Sequence, residues 1–338
     1  MKQIFNISLV YIGLVIGAGF ASGREIFEYF CLPSQNDFAG IVLATMGFGF
    51  LSYITMWVAR RNESQDFDSF ISCVAGKVSP LIRAFMAIYM FCGFFVMMSA
   101  CGALASQSFS APPSHGIAIL AIVCFVVFVF DVKGLVTINT ILVPIMILGM
   151  TILCIHSAIC DTLPVFANIN SVRSNPLLSS LCYVSYNTIT AGAILVPLSK
   201  NTNKKTLYCA AGVSSIVLGI LIFIAWLALN IYFHKLSSSQ MPLLDLAVAH
   251  GKFYETTYTI ILFMALCTTA VSHGFGLLSK FKFRRASDRA LASAILCLAA
   301  VPFAHFGFSD LVANLYSAFG YIGLVWTGML IFTYLKKN

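Results

Sequence analysis

Charge is what this sequence has least of. Only 9% of its 338 residues are Asp, Glu, Lys or Arg, against 59% hydrophobic, and the mean hydropathy is +0.92. Water cannot be the solvent for most of such a surface, which excludes a soluble globular protein. Long polar stretches are scarce as well: the longest are 60–68, 161–176 and 235–242, and none has the length of a soluble domain. Function therefore sits within the membrane. The eleven cysteines are scattered singly, with no C-x-x-C pair and no His/Cys cluster. That pattern excludes a disulfide framework or a structural zinc centre, and residues such as Cys92, Cys101 and Cys124 read as small apolar fillers.

Apolar runs are what the chain has in abundance. A helix crosses the hydrocarbon core with roughly 20 apolar residues. Ten such spans fit, at 4–30, 37–60, 79–106, 115–131, 134–160, 177–198, 205–234, 252–279, 289–308 and 311–335. The expectation is one all-α membrane domain over 1–338. Lys2, the apolar run from Ile4 to Ile16 and the small residues after it mimic a signal peptide. Cleavage there would leave an odd number of spans and split the termini, against the Lys336-Lys337 pair at the far end, so the segment is taken as the first span. The net charge of +8 then reports orientation rather than a nucleic-acid partner. Of 20 lysines and arginines, all but Arg24, Arg173, Lys235 and Lys252 fall at, or within about a turn of, the side that carries both termini. The positive-inside rule makes that side cytoplasmic.

Five spans precede the loop at 161–176 and five follow it, so the second set (repeat two, 177–338) starts from the opposite face to the first (repeat one, 1–160). That is a 5+5 inverted arrangement. No residue-level repeat at a fixed period supports it, but two features correspond between the halves. A short amphipathic stretch, Phe67 to Gly76, separates spans two and three, and another, Pro242 to Gly251, separates spans seven and eight. Each half also opens on an interrupted span. Gly13, Gly17, Gly19 and Gly23 crowd the middle of span one, and Tyr183-Val184-Ser185-Tyr186-Asn187-Thr188 occupies the middle of span six, with Gly192 and Pro197 after it. Helices one and six are therefore expected to be discontinuous, the best sequence pointer to a transporter site.

Helix propensity and lipid conflict in span one. Each glycine weakens the helix by about 1 kcal/mol, and unpaired peptide groups cannot face hydrocarbon. A protein-lined cavity holding a solute and an ion would compensate, since half-helix amino ends offer N–H groups and freed carbonyls coordinate cations. Close packing is the competing explanation, because Gly13-x-x-x-Gly17 and Gly19-x-x-x-Gly23 both match the small-xxx-small pattern. Packing leaves unexplained the Ser22, Arg24, Glu25 and Glu28 that follow directly. Charged groups within a span are costly and are functional candidates by default. Arg24 and Glu28 have the spacing of an i, i+4 ion pair; alternatively Arg24 and Glu25 form an outer gate or a charged-group contact. In span eight, Thr268-Thr269 sits mid-helix with Ala265 before it and His273 after it. A single threonine there bonds the carbonyl one turn back, whereas two adjacent hydroxyls beside a broken span can supply oxygens to a small hard cation. His273 reads as a buried, hydrogen-bonded histidine rather than a proton relay.

The run Gly17-Ala18-Gly19-Phe20-Ala21-Ser22-Gly23-Arg24-Glu25-Ile26, with Tyr183-Val184-Ser185-Tyr186-Asn187 and Thr268-Thr269-Ala270, resembles the YkvI family of bacterial membrane proteins over essentially the whole chain. That family is similar to the amino acid/polyamine/organocation superfamily, whose members have a leucine-transporter-type fold. The resemblance implies a multi-pass protein of the bacterial cytoplasmic membrane with a sodium site between spans one and eight. Its ligands would be the carbonyls of Gly13, Ile16 and Ala265 and the hydroxyls of Thr268 and Thr269. Solute would lie against Gly17, Ala18, Gly19 and Ser22 in span one and Ser185, Tyr186 and Asn187 in span six. Members of the family usually carry glutamine at the position of Arg24, so this chain departs from the pattern at the outer gate. Some members of the superfamily replace sodium with a lysine deep in span five; here Lys133 lies only at its mouth, with Asn139 further in, which favours sodium over protons.

The expected function is secondary transport of a small organic solute, amino-acid-like or a related zwitterion or amine, with sodium as coupling ion and no cofactor. A receptor of the same fold that binds a solute without net transport is the alternative. An intramembrane enzyme would need a nucleophile or metal with an activating partner, and the dispersed His115, His156, His234, His250, His273 and His305 supply none.

Overall fold

The computed structural model describes residues 2–31, 37–130, 135–160, 175–200, 202–281, 283 and 285–337. Every regular element among them is helical. Nine of these helices are long and apolar enough to cross a membrane, and the segment that begins with the apolar helix Lys2–Val15 makes the tenth crossing. Span one is built of three pieces, Lys2–Val15, Ala18–Ala21 and Arg24–Phe30. Spans two to five are Asp37–Arg61, Ser79–Phe109, Pro113–Phe130 and Leu135–Cys160. Spans six to nine are Pro176–Ser199, Lys204–Ile231, Lys252–Leu278 and Ala286–Ala304, and span ten runs from Phe308 to Lys337. Ten crossings return the chain to the side on which it began, called here the terminal side.

Local chemistry sets several of these boundaries. The Asn175 side chain accepts the Leu177 N–H at 3.0 Å ahead of Pro176, and Asn203 accepts the Thr206 N–H at 2.7 Å, so spans six and seven start on capped turns. Both amphipathic stretches fold as short helices, Phe67–Ala75 and Pro242–Ala249. The first is closed by a capping box in which Asp66 accepts the Ser69 N–H at 2.8 Å.

Packing between the halves has the symmetry of an inverted repeat. Span two packs on span six as span seven packs on span one, span three on nine as eight on four, and span five on seven as ten on two. Spans two and seven, three and eight, and four and nine pack on their own counterparts. Such reciprocity is what a pseudo-two-fold axis in the membrane plane produces.

Span six departs from expectation. It is one continuous helix from Pro176 to Ser199, not a broken one. Its polar residues satisfy themselves along the helix: Asn187 Nδ2 donates to the Tyr183 carbonyl at 2.9 Å, and Thr188 Oγ1 to that of Val184 at 2.8 Å. Side chains that bond back one turn keep the helical ladder rather than compete with it. Gly192 serves packing, since a Cβ there would lie 2.8 Å from the Phe67 ring. The backbone irregularity of the second half lies instead in span ten, where Val312–Tyr316 forms a π-helical turn.

Candidate functional site

Two adjacent hydrogen bonds end the first piece of span one. The Gly17 N–H turns to the Val15 carbonyl at 3.0 Å, and the Ala18 N–H donates to the Thr269 hydroxyl of span eight at 3.3 Å. A continuous helix would have used those donors on the carbonyls of Gly13 and Leu14, so the break frees acceptors beside Thr269. A second break follows at Ser22-Gly23, where Gly23 takes the left-handed conformation (φ 78°). The Ala21 carbonyl there accepts the Tyr258 hydroxyl of span eight at 2.6 Å, and the Ser22 carbonyl accepts the Leu243 N–H of the helix Pro242–Ala249 at 3.0 Å. Tertiary partners thus satisfy peptide groups that lipid could not.

The first break opens on a cavity of about 200 Å³. Gly13, Ile16, Thr268 and Thr269 of the expected ion set line it; Ala265 is buried behind them, its carbonyl accepting the Thr268 hydroxyl at 3.1 Å. Gly17, Ala18, Gly19, Tyr186 and Asn187 of the expected solute set also line it. Ser22 and Ser185 do not, which corrects their assignment. The Ser22 hydroxyl donates to the Gly19 carbonyl at 2.7 Å and accepts the Arg24 N–H at 3.2 Å, bracing the second break from within. Ser185 faces span ten, where it accepts the Thr327 hydroxyl at 3.2 Å. Asn187, two residues on, points some 200° away around the helix, since successive residues are turned by about 100°.

Arg24 and Glu25, one step apart, are parted by about 100°. The Arg24 guanidinium pairs with Glu28 at 2.9 Å, donates to the Ser239 carbonyl at 3.1 Å ahead of the helix Pro242–Ala249, and lies 5.5 Å from the Phe27 ring centroid. It ties the outer piece of span one to the far-side loop. Glu25 instead turns into the cavity against Gly19, buried at 7% exposure. The glycines divide likewise: a Cβ at Gly13 would lie 3.2 Å from Val143, a packing role, whereas one at Gly17 would meet nothing nearer than Thr269 at 3.7 Å.

Several lining residues carry no local signal in the sequence: Tyr89, Met86, Met90 and Met97 from span three, Met146 from span five, and Tyr316 from the π turn. In an apolar span one more Met or Tyr is indistinguishable from core. His273 Nδ1 bonds the Thr269 carbonyl at 2.8 Å, so that nitrogen carries the proton. Lys133 and the side chain of Asn139 lie outside the described residues. Met86, Val143, Thr190 and His273 all come from the terminal-side halves of their spans. Toward the far side the cavity is sealed by Tyr183 with Tyr29 and Phe30, whose ring centroids lie 5.3 and 5.1 Å from that of Tyr183, and by Leu243 over Gly23.

Among curated proteins the chain is 30% identical over 318 residues to YyaD of Bacillus subtilis (strain 168), covering 94% of this chain and 92% of that one. It is 26% identical over 330 residues to the membrane protein YkvI of the same organism, covering 96% and 94%. No protein-family model matches. Among solved structures, the inward-facing conformation of Mhp1 aligns with a TM-score of 0.68 at 13% identity, covering 97% of this chain and 75% of that one. A manganese transporter of Eremococcus coleocola in complex with an aromatic bis-isothiourea substituted compound aligns with a TM-score of 0.57 at 14% identity, covering 95% and 76%. These likenesses establish the leucine-transporter-type fold.

Proposed function

The chain belongs to the family of YyaD and the membrane protein YkvI, and from that premise we propose that it is a secondary transporter of a small organic solute, coupled to sodium and working by alternating access. The observation that carries this reading is the break of span one against Thr269. It leaves carbonyls without helical donors beside two hydroxyls, and it does so in the wall of a cavity roomy enough for a solute of amino-acid size. Sodium would take the carbonyls of Gly13, Ile16 and Ala265 with the hydroxyls of Thr268 and Thr269. Solute would contact Gly17, Ala18, Gly19, Tyr186 and Asn187. The solute is read as an amine or an amino-acid-like zwitterion.

Alternating access follows from the packing. The cavity reaches Met86, Val143, Thr190 and His273 in the terminal-side halves of their spans and is sealed on the far side, so this conformation presents the site to the terminal side, which we assign to the cytoplasm of a bacterial cell. Exposing it to the far side requires the outer piece of span one to part from spans six and ten. Uptake into liposomes carrying the purified protein, driven by an inward sodium gradient and compared with potassium, tests the reading. Solute accumulation that needs the gradient supports it. Solute binding without flux would make the protein a receptor.

A further inference from the structure

Glu25 is the one acid among the described residues lining the cavity, and no lysine or arginine lines it. Its neighbour Arg24 is committed elsewhere, to Glu28 and the Ser239 carbonyl. No described basic group forms an ion pair with Glu25. The lining's other titratable side chain besides its tyrosines is His273, whose Nδ1–H is used on the Thr269 carbonyl. The hydroxyls of Tyr186 and Tyr183 are turned toward the carboxylate and have no other protein partner. Around it the rings of Tyr29, Tyr183, Tyr186 and Tyr316 pack in a chain, tilted or edge to face, with successive centroids 5.3–5.6 Å apart.

Burial of a carboxylate without a countercharge costs several kcal/mol, and an acid kept in a cavity within the membrane marks a substrate or ion pathway. The surroundings narrow its chemistry. Calcium takes six to eight oxygens and magnesium six, and no group of three or more His, Cys, Asp or Glu able to hold a metal occurs among the described residues. Aromatic faces and the thioethers of Met86, Met90, Met97 and Met146 suit an organic cation, whose charge meets the carboxylate and the ring faces while its hydrocarbon lies on the methionines.

We propose that Glu25 is the recognition group for an organic ammonium, so that the transported solute enters with a positively charged nitrogen at the Gly19–Tyr186 end of the cavity. This deepens the transporter reading and rests on it. The test does not depend on transport. A cysteine is placed in the cavity wall by Thr190→Cys, and the protein without it serves as background for the native thiols. The rates of modification by a cationic ethylammonium methanethiosulfonate and by its anionic ethylsulfonate counterpart are compared, each normalised to the reaction with free 2-mercaptoethanol. The normalised ratio should favour the cation by tenfold or more and fall to near one in Glu25→Gln. In Glu25→Asp, which keeps the charge, the preference should persist.

Choline at tens of millimolar should slow the cationic reaction in Thr190→Cys, whereas 3,3-dimethylbutanol, its neutral isostere, should not. A normalised ratio near one in Thr190→Cys overturns the proposal whether or not Glu25→Gln folds. So does a preference that survives Glu25→Gln, or protection by manganese(II) without protection by choline. Loss of sodium-driven uptake with a Glu25-dependent cation preference intact would sink the transporter reading instead.

Discussion

The carboxyl oxygen Oε1 of Glu25 rests on the Cα of Gly19, so close that a Cβ on Gly19 would overlap it. Two residues separated by the second break of span one are thus folded back on each other. The glycine is the socket in which the acid sits. Gly19→Ala should displace the carboxylate and lower solute uptake at least tenfold, while overpacking costs about 1–3 kcal/mol of stability. Uptake and thermal unfolding of the purified variant check both. Uptake within twofold of the parent would show that the acid's seating is unimportant.

Removing the Thr268 and Thr269 hydroxyls should reach sodium dependence before it reaches the fold. Deleting one hydroxyl ligand weakens a polar interaction of about 1 kcal/mol, so the double alanine variant should raise the sodium concentration for half-maximal uptake at least tenfold. Titration of uptake against sodium at fixed ionic strength measures it. An unchanged sodium requirement would mean that the ion lies elsewhere.

Gly23 combines a φ of 78° with a side wall of Leu243, whose Cγ would lie 2.6 Å from an added Cβ. Gly23→Ala should therefore lose about 1–2 kcal/mol to backbone strain alone, and more to the steric overlap. Leu243→Ala in the same chain should remove the closest of these contacts and leave the strain. Melting temperatures of the two single variants and the double variant separate them.

Arg24 joins the outer piece of span one to the Ser239 carbonyl. Its charge-assisted hydrogen bond is an interaction of about 1.5–3 kcal/mol, and its removal should raise the far-side-open population roughly tenfold or more. Cys31 at the end of that piece is 3% exposed here and reports the change. Its rate of labelling by an impermeant maleimide should rise several-fold in Arg24→Ala. A rate equal to the parent's would remove Arg24 from the gate.

The Asp66 cap lies outside the spans and brings a pH dependence. Hydrogen bonds from Ser69 hold its carboxyl below its ordinary value of 3.8. A lowered folded-state value means the cap's contribution is complete above pH 3.8 and is lost as pH falls through the lowered value. Asp66→Ala should cost about 1 kcal/mol at neutral pH and progressively less in acid. Hydrogen exchange over Phe67–Ala75 at two pH values reads it out.

How much was legible beforehand varies by residue. The span limits and both linker helices follow the sequence closely; Gly13 and Ile16, named through the family resemblance, line one cavity with Thr268-Thr269. Span six is where reading by analogy failed: its polar run looked like a break, but Asn187, Thr188 and Thr190 bond back onto their own helix. Ser22 and Ser185 failed because a hydroxyl in the sequence does not reveal which partner it will meet, the Gly19 carbonyl for one and the Thr327 hydroxyl for the other. Met86, Tyr89 and Tyr316 reach the site from spans whose sequence carries no functional mark.

What the sequence determined by itself is the number of crossings, the sidedness of its basic residues and the place where span one must break. These are local quantities: apolar length, charge position and glycine density act over a window of one helix, with water and lipid as the only other parties. What only the tertiary structure decided is that Arg24 faces the far-side loop while Glu25 faces the cavity, and that the cavity's aromatic end is assembled from spans one, three, six and ten. A step of one residue turns a helix by about 100°, so neighbours in sequence take opposite roles once packing sets the phase. That phase is a property of the contacts between helices, which no single helix carries.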